Sequence, residues 1–476
     1  MNQTRSIETL DIAGVPVHDR GPVPAALELR ALCGDVVAVS GEPAYDAART
    51  PWNVSVDQRP AAVATPTSVD EVRLVVRSAA AVGLRVAPQG TGHGAQAFTD
   101  HDLSDVVLLR TTRLSRVTVD PDLRIFRAEA GAVWEQVVEA AAPYGLAALH
   151  GSSPDVGVAG LSLGGGIGWY ARKLGMAANA ITAVELVTAD GQLRRVDAVH
   201  EPDLFWAVRG GGGNFGVVTA MEMRLFDVAD VFAGQFVWDL TDFERVLRVW
   251  NAWAPQAPDE ISTSLRAMRF PPLPEIPEHL RGRRVTILDG AVLGTDEEAA
   301  RLLAPFRELA PQLDSWQRMP AAGIVRLHGD PEGPTPGVGC GTLVNRLDEA
   351  AIRSFVAAVG PEADTSVLMA ELRQLGGALA TEPEGAGAMA TMRGDYAAYF
   401  VTIAPVPQLV EPSRAATLAM LASLEGVQSG GEYLNLSERT VDPARAFGAQ
   451  RWQRVLEVRR RFDPAGLFLG NHEFVG

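Results

Sequence analysis

The stretch of chain from residue 151 to residue 168 contains seven glycines, with small or apolar residues between most of them and no lysine, arginine or histidine. Glycine lets the backbone approach a ligand closely, but it loses more conformational entropy on folding than any other residue. A chain therefore concentrates glycine where backbone N–H groups must surround a large polar group such as a pyrophosphate. Two further clusters lie at residues 89–94 and 209–216. Three such loops, each beside an apolar run typical of a strand, favour a dinucleotide site over ordinary turns.

Length and composition set the class of protein. A chain of 476 residues exceeds what one core usually supports, so we expect two domains. No uninterrupted apolar run approaches the ~20 residues of a membrane span, and a net charge of −16 argues against nucleic acid and anionic lipid as partners. Two cysteines exclude a disulfide framework, and the first residues lack the apolar core of a signal peptide. We therefore expect a cytoplasmic monomer or homodimer without a metal site.

The first half of the chain follows an α+β pattern. A capping box formed by Ser68 and Glu71 predicts a helix over 66–83, and a strand over 84–87 leads into the first glycine cluster. A Rossmann fold would require a helix directly after that cluster, whereas a turn-like segment and a strand over 106–109 follow it. The order of elements therefore disfavours an NAD-binding fold. Two more strands are predicted further along, at 184–188 and 217–226.

The second half begins at a compositional break near residues 227–232. It has no glycine cluster of its own, so we expect it to cover a substrate rather than a cofactor. Its predicted helices lie at 241–254, 347–359 and 413–425, its strands at 284–288 and 399–403, and its loops at 270–277 and 329–341.

Several motifs, in a fixed order, resemble those of a known family. They are Pro66–Gly94, Gly160–Gly175, Val184–Gly191, Asp203–Val218, Tyr433–Asn435, Arg461–Phe468 and Asn471. In these segments the chain resembles the berberine-bridge-enzyme-like flavoproteins of the vanillyl-alcohol-oxidase superfamily, which have a PCMH-type FAD-binding domain. The resemblance covers the first half and the last tenth of the chain, and the middle is only loosely similar.

The resemblance implies an architecture and an activity. It implies a two-subdomain FAD-binding domain over 54–228, with an N-terminal segment over 1–53 packing on it, an antiparallel-sheet substrate domain backed by helices over 229–428, and a C-terminal segment over 429–476 that completes the FAD domain. The implied activity is that of an FAD-dependent oxidase. It would take a hydride from an alcohol, hemiacetal or activated C–H group of a small organic molecule, a secondary metabolite or a sugar, and dioxygen would reoxidise the flavin to give hydrogen peroxide.

The same resemblance assigns residues to the cofactor. His93 stands where the family bonds a histidine covalently to the flavin, although the loop departs from the family pattern at Gln89 and Thr91, so we expect backbone N–H groups rather than an arginine at the pyrophosphate. Ser153 replaces the cysteine that forms a second bond in many members, and a serine hydroxyl is too weak a nucleophile for that addition. Val156 is the residue type associated with oxidases at its position. The expected FAD contacts are His93, Gln89, Gly90, Thr91, Gly92, Gly94, Ser153, Val156, Gly157, Gly160, Ser162, Gly164, Gly165, Gly168, Gly216, Val217, Val218, Asn435 and Asn471.

This chain lacks one tyrosine of a motif that often supplies the catalytic base in the family it resembles. Leu436 stands where the family's Tyr-x-Asn-Tyr motif has its second tyrosine, so a base must come from elsewhere, with Asn435 as a hydrogen-bonding group near the flavin. Tyr396 and Tyr399 are three apart and would face opposite sides of a strand, so at most one can face the flavin.

Three other residues could carry a proton in the same role. His150 precedes the second glycine-rich loop and is a further candidate; Glu371 is a weaker one because its surroundings resemble a helix, and His328 lies on a predicted loop. A structural role stays open for each of these residues. Two other functions also stay open: an FAD-linked dehydrogenase that uses another electron acceptor, and a flavin-binding protein without turnover, which Leu436 motivates.

Overall fold

The structure is a computed structural model that describes residues 22–274, 276, 278 and 280–475, so most of the first half of the predicted N-terminal segment lies outside it. The chain opens with a four-stranded sheet in the order β1-β2-β4-β3, whose β2, β3 and β4 run parallel. Its elements are α1 (Pro24–Cys33), β1 (Val37–Val39), α2 (Pro43–Arg49), β2 (Ala62–Ala64), α3 (Val69–Ala81), β3 (Arg85–Gln89) and β4 (Val106–Arg110). Helix α3 is shorter than the predicted 66–83, but Ser68 is its N-cap as expected, with its hydroxyl accepting the Glu71 N–H.

A five-stranded antiparallel sheet follows, in the order β5-β6-β10-β8-β9, together with a small ladder of β7 and β11. The elements are β5 (Val117–Asp120), β6 (Ile125–Glu129), α4 (Trp134–Ala141), β7 (Leu146–Ala147), α5 (Val158–Leu163), α6 (Ala171–Leu174), β8 (Ile181–Val187), β9 (Leu193–Asp197), α7 (Pro202–Gly211), β10 (Val217–Arg224) and β11 (Phe226–Asp227). The three glycine clusters lie in the connections after β3, before and after α5, and between α7 and β10.

The third and largest sheet is antiparallel throughout and is built from residues 230–403. Its strands are β12 (Asp230–Asp239), β13 (Ile261–Arg269), β14 (Arg284–Val292), β15 (Leu313–Asp314), β16 (Gln317–Pro320), β17 (Gly337–Val344), β18 (Met369–Gln374) and β19 (Tyr396–Ile403). Helices α8 (Phe243–Trp253), α9 (Asp296–Arg307), α10 (Glu349–Val359) and α11 (Val410–Ser423) pack on one face of this sheet through a common apolar core. The α+β fold class is therefore confirmed.

Two sequence expectations in this region are wrong. Residues 329–341 do not form a loop throughout, because β17 begins at Gly337; its alternate glycines conceal the apolar alternation that marks a strand. Glu371 is not helical, because Met369–Gln374 forms β18, in which alternate residues face opposite sides of the sheet.

The C-terminal segment contains α12 (Ala444–Phe447) and α13 (Ala449–Phe462) and then returns to the first sheet. There the Val86 N–H donates to the Leu467 carbonyl at 2.8 Å, and the Leu469 N–H donates to the Val86 carbonyl at 3.0 Å. The chain end is thereby fixed beside β3, next to the first glycine cluster. No helix in the described ranges is long and apolar enough to cross a membrane.

Candidate active site

A cavity of about 630 Å³ lies between the glycine-rich loops, the helix-free face of the large sheet and the C-terminal segment. This volume is in the range typical of cofactor and ligand sites. The wall contains residues from all three glycine clusters, and the opposite wall contains the inward-facing residues of β13, β17, β18 and β19. The cavity therefore joins the part of the chain expected to hold a cofactor to the part expected to hold a substrate.

Most of the residues that the sequence assigns to FAD line this cavity, but four do not. Those in the wall are Gln89, Gly90, Thr91, Gly92, His93, Gly94, Ser153, Val156, Gly157, Gly160, Gly164, Gly216, Val218, Asn435 and Asn471. The four outside the wall are Ser162, Gly165, Gly168 and Val217. They serve packing: a Cβ on Gly168 would lie 1.9 Å from the His150 carbonyl oxygen, and one on Gly165 would lie 2.8 Å from the Met389 sulfur.

The backbone of the glycine loops suits a large ligand. A Cβ added at Gly160 would meet no protein atom within 4 Å, so packing within the protein does not explain the glycine there. Gly92 has a φ of +87°, and a Cβ there would lie 2.6 Å from the Cβ of Pro51. Gly160 thus leaves open space at the wall, and Gly92 permits a backbone conformation that residues with a side chain rarely adopt. A flavin and its diphosphate fit such a wall, because backbone N–H groups can approach them directly.

His93 lies at the edge of the cavity between three fixed groups. Its ring stacks on Trp52 with centroids 3.9 Å apart. Its Nδ1 lies 2.7 Å from the Thr91 hydroxyl, and its Nε2 lies 3.3 Å from Asp155 Oδ1. A proton on Nε2 faces the carboxylate, which leaves the lone pair on Nδ1. The imidazole is therefore held in one orientation, with the Nδ1 lone pair accepting the Thr91 hydroxyl.

Asp155 joins several parts of this site and was not predicted from the sequence. It accepts hydrogen bonds from the Trp52 indole at 2.7 Å, the Gly333 N–H at 2.9 Å and the Ser153 hydroxyl at 2.9 Å. Burial alone would raise the pKa of this carboxyl, but the bonds from His93, Gly333 and Trp52 together hold the pKa well below its ordinary value. Asp155 therefore stays ionised beside His93, and the Ser153 hydroxyl is already engaged.

Arg110 supplies a buried positive charge behind the first glycine cluster. It is 7% exposed and has no ion-pair partner in the described ranges. Its guanidinium donates to Gln89 Oε1 at 2.9 Å and to the backbone carbonyls of Thr50 at 3.2 Å and Thr91 at 3.4 Å. Gln89 pairs with Arg110 across β3 and β4. Arg110 lies outside the cavity wall, so it acts on the first glycine cluster through Gln89 and the backbone carbonyl of Thr91 rather than by lining the cavity.

Replacing Arg110 by methionine is expected to lower FAD content at least tenfold and to destabilise the fold by ~2–4 kcal/mol. The reason is that several hydrogen bonds from a charged donor are lost at once, each worth ~1.5–3 kcal/mol before compensation. Flavin absorbance per chain and the thermal midpoint measure the two effects. Arg113→Met is the matched control, because Arg113 is exposed. Equal flavin content in both variants would contradict the assigned role.

Two of the candidate catalytic residues do not reach the cavity. Tyr396 points to the helix-covered face of β19, where it stacks near Trp250 with centroids 4.7 Å apart and donates to Asn251 Oδ1 at 3.0 Å. His150 is 2% exposed, lies 2.6 Å from the Gly151 carbonyl through Nδ1, and packs edge-on against Tyr170. Burial lowers the His150 pKa to about 4, so the ring is neutral at physiological pH. Both residues support the fold, and neither can accept a proton from a ligand in the cavity, because neither lines it.

Tyr399, on the opposite face of the same strand, does line the cavity and contacts a carboxyl group. Its hydroxyl donates to Glu438 Oε1 at 2.8 Å. Burial raises the pKa of Glu438 to about 7, although the bonds from Tyr399 and the Gly339 N–H partly offset this effect. Burial and the neighbouring Glu438 raise the Tyr399 pKa well above 10. The pair is a phenol joined to a carboxyl group that titrates near neutrality, which is what proton transfer requires.

The backbone around this pair is held by Gln96. Its side-chain amide donates to the Gly339 carbonyl at 3.0 Å and to the Glu438 carbonyl at 2.9 Å, and it accepts the Gly339 N–H at 3.0 Å. A Cβ on Gly339 would lie 2.7 Å from both Glu438 Oε2 and the Tyr399 hydroxyl. The absence of a side chain at Gly339 therefore makes room for the pair. Sequence reasoning missed Glu438, whose only signal was its place three residues after Asn435.

A second polar group in the wall consists of buried charges on β13, β14 and β18. Arg266 donates to Asp289 Oδ2 at 2.6 Å, and Arg373 donates through Nε to Glu371 Oε1 at 2.8 Å. His328 places Nδ1 2.8 Å from Asp289 Oδ2. Burial opposes ionisation of Glu371, but Arg373 and its neighbours hold the Glu371 pKa at about 2. Glu371 and His328 thus belong to the cavity, although neither was a leading candidate in the sequence analysis.

Asn435 and Asn471 fix the closing segment to the glycine loops. Asn435 donates to the Leu161 carbonyl at 2.9 Å and to the Tyr433 hydroxyl at 3.1 Å, and a Cβ on Gly164 would lie 1.9 Å from its Oδ1. Asn471 donates to the Gly94 carbonyl at 3.1 Å. These contacts give both asparagines a positioning role at the cavity wall.

Comparisons with known proteins agree with this geometry. The family model described as FAD binding domain matches residues 60–197. An uncharacterised FAD-linked oxidoreductase of Bacillus subtilis, YgaK, is 28% identical over 65% of this chain and 67% of its own length. A xylooligosaccharide oxidase of Thermothelomyces thermophilus is 32% identical over 43% of this chain, and that match spans 41% of the relative's length.

A similar solved structure covers nearly the whole chain. It is the Physcomitrella patens BBE-like 1 protein, with a TM-score of 0.82, 21% identity, and coverage of 94% of this chain and 99% of that one. At this identity the likeness establishes the fold alone, and the domain matched over residues 60–197 indicates FAD as the cofactor. The chain therefore contains an FAD-binding domain and has the fold of the BBE-like 1 protein.

Proposed function

We propose that this protein is an FAD-linked oxidase. It removes a hydride from a hydroxyl-bearing carbon of a small organic molecule together with the proton of that hydroxyl, and it passes the electrons to dioxygen, forming hydrogen peroxide. The observation that carries the proposal is the Tyr399–Glu438 hydrogen bond in the same cavity as His93. A proton acceptor and a flavin-attachment residue on opposite walls of one cavity match the two needs of alcohol oxidation. Bound FAD would accept the hydride and return its electrons to dioxygen.

We assign His93 as the single covalent attachment point. Thr91 and Asp155 contact opposite ring nitrogens of His93, so the imidazole keeps one tautomer and presents Nδ1. Ser153 cannot supply a second bond, because a serine hydroxyl is a weak nucleophile and its acceptor Asp155, whose pKa is lowered, is too weak a base to activate it. The glycine loops would then hold the rest of the cofactor through backbone N–H groups.

Proton removal is assigned to Tyr399 acting with Glu438. The phenol oxygen of Tyr399 takes the proton of the substrate hydroxyl, and its own proton moves to Glu438 Oε1 across the existing hydrogen bond of 2.8 Å. Because the Tyr399 pKa is raised well above 10, the phenol needs an ionised partner to act as a base. Glu438, with a pKa of about 7, supplies that partner in the neutral range.

The oxidase assignment rests on Val156, which lines the cavity three residues after Ser153. Val156→Leu is expected to slow reoxidation by dioxygen at least ~10-fold, and to slow flavin reduction by substrate much less, because a closely packed pocket has no slack for an additional methylene. Stopped-flow mixing of reduced enzyme with aerated buffer isolates the first step. Slow reoxidation of the wild-type protein would instead favour a dehydrogenase that uses another electron acceptor.

The proposal is tested by mixing the holoenzyme with a panel of alcohols and sugars under anaerobic and then aerobic conditions. Bleaching of the flavin followed by equimolar hydrogen peroxide supports an oxidase, and bleaching without peroxide supports the dehydrogenase. A flavin that no compound bleaches would favour a binding protein without turnover. We also propose a monomer or homodimer in the cytoplasm; the buried, free thiols of Cys33 and Cys340 support the location.

A further inference from the structure

The sheet wall of the cavity is divided into two parts of different chemistry. On β18 the inward-facing residues run from Met369 to Glu371 and Arg373, and on β19 they run from Val401 to Tyr399. The strands are antiparallel and Glu371 pairs with Tyr399, so the polar residues of neighbouring strands lie side by side. We call the side with Arg266, His328, Glu371, Arg373 and Tyr399 the polar half; Asp289 lies behind it.

The other side of the same wall is apolar and continues to the Pro-rich loop. Met268 pairs with Met369 across β13 and β18, and Met369 pairs with Val401 across β18 and β19. We call this side the apolar half; its cavity-lining residues are Met268, Phe270, Leu273, Ile276, Leu368, Met369, Val401 and Ile403. All eight of these residues have apolar side chains. A polar ligand placed against them would lose its hydrogen bonds to water and gain none from these side chains.

Hydrogen-bonding capacity is left over in the polar half. His328 Nε2 is buried, lines the cavity and has no hydrogen-bond partner within the described ranges. Arg373 uses Nε to bind Glu371, and its two terminal nitrogens have no hydrogen-bond partner among the described residues. With Nδ1 donating to Asp289, His328 Nε2 is a buried acceptor, and the Arg373 terminal nitrogens are donors that line the cavity. A buried polar group without a partner is costly, so these groups point to a ligand that completes them.

The charges of the polar half argue against an anionic ligand. Arg266 is balanced by Asp289 at 2.6 Å, and Arg373 is balanced by Glu371 at 2.8 Å. Two further carboxyl groups, Asp330 and Glu438, line the same cavity. An anionic head group would find no excess positive charge there and would lie near several carboxylates. Alternating donors and acceptors instead suit neighbouring hydroxyl groups, each of which both donates and accepts.

We infer that the substrate is a neutral amphiphile, with a hydroxyl-rich head that carries the oxidised carbon and an apolar body that lies along Met268, Met369 and Val401. This inference rests on the proposed oxidase function and specifies its substrate class. It places the head against Arg373, His328 and the Tyr399–Glu438 pair. It excludes free oligosaccharides as the preferred ligands, since their outer sugar units would lie against the apolar half.

The test compares ligands that differ in one part at a time, using the holoenzyme under anaerobic conditions. Perturbation of the flavin absorbance gives the dissociation constant without requiring turnover. The probes are n-octyl β-D-glucoside below its micelle-forming concentration, D-glucose, cellobiose, 1-octanol and n-octyl β-D-glucuronide. We expect octyl glucoside to bind at least ~100-fold more tightly than D-glucose or cellobiose, because burial of several methylenes adds to head-group recognition. It should also bind more tightly than octanol and the glucuronide.

Two variants assign the effect to the two halves of the wall. Met369→Gln should reduce the ratio of octyl glucoside affinity to D-glucose affinity at least ~10-fold, because it places an amide in the apolar half. Arg373→Gln should weaken both ligands together and preserve that ratio. Equal or tighter binding of cellobiose, octanol or the glucuronide, or no binding of octyl glucoside, would overturn the inference. In each case the proposed oxidase function stands if other alcohols bleach the flavin, and it fails separately if none does.

Discussion

Tyr399→Phe and Glu438→Gln are each expected to slow flavin reduction by ~10²–10⁴-fold, the usual contribution of a positioned acid–base group. The first change removes the oxygen that receives the substrate proton. The second removes the acceptor to which Tyr399 passes its own proton at 2.8 Å. Because the two groups act as one unit, the double variant should be little slower than either single variant. Anaerobic stopped-flow absorbance of the flavin measures the reduction rate.

The pH dependence separates the two groups. Only ionised Glu438 can accept a proton, and its pKa is about 7, so the wild-type reduction rate should fall as pH decreases through 7. In Glu438→Gln this decrease should disappear, because glutamine does not titrate. If the reduction rate of Glu438→Gln still decreased as pH falls through 7, another group would limit the reaction. That result would contradict the assignment of Glu438.

Tyr396→Phe is the matched control for Tyr399→Phe. It removes the same atom from the same strand, but on the face that packs against α8, where the hydroxyl donates to Asn251. We expect an unchanged reduction rate and a loss of stability of about 1 kcal/mol, the typical net value of one buried hydrogen bond. Equal loss of rate in both variants would indicate a general effect of packing rather than proton transfer.

Local sequence signals predicted the framework of this protein well, for physical reasons. Ser68 caps α3 through contacts within one turn of chain, so its effect is visible in the sequence. The glycine clusters stand out because few other residues allow such close backbone approach. Both signals depend on near neighbours only. The order of strands around the first cluster likewise disfavoured a Rossmann fold, and the parallel strands β3 and β4 follow that order.

The chemistry of the cavity depended on contacts that are distant in sequence. Glu438 and Tyr399 are separated by 39 residues, and Asp155 and Trp52 by 103. Glu371 appeared helical because buried charges interrupt the apolar pattern of β18, and one partner of Glu371, Ser264, lies on β13. Arg110 was not predicted because its role depends on strand register with Gln89. Candidate residues near a motif could be proposed from sequence, but their partners could not.

His93→Ala is expected to abolish retention of FAD after denaturation, since we assign that side chain as the only attachment. Asp155→Asn should reduce the covalently attached fraction of FAD at least ~10-fold. The neutral amide lacks the negative charge of Asp155, which favours a proton on Nε2 of His93. Ser153→Ala is the control on the same loop, and it should leave attachment unchanged, since that hydroxyl donates to Asp155 and carries no bond to the cofactor. Loss of attachment in Ser153→Ala would favour a general disturbance of the loop.

The mass of the intact, acid-denatured protein tests the central claim of a histidine-linked flavoenzyme most directly. The account predicts a wild-type mass that exceeds the chain by one FAD, yellow protein after acid precipitation, and a mass equal to the chain alone for His93→Ala. A wild-type mass equal to the chain, with all the flavin free in the acid supernatant, would contradict it.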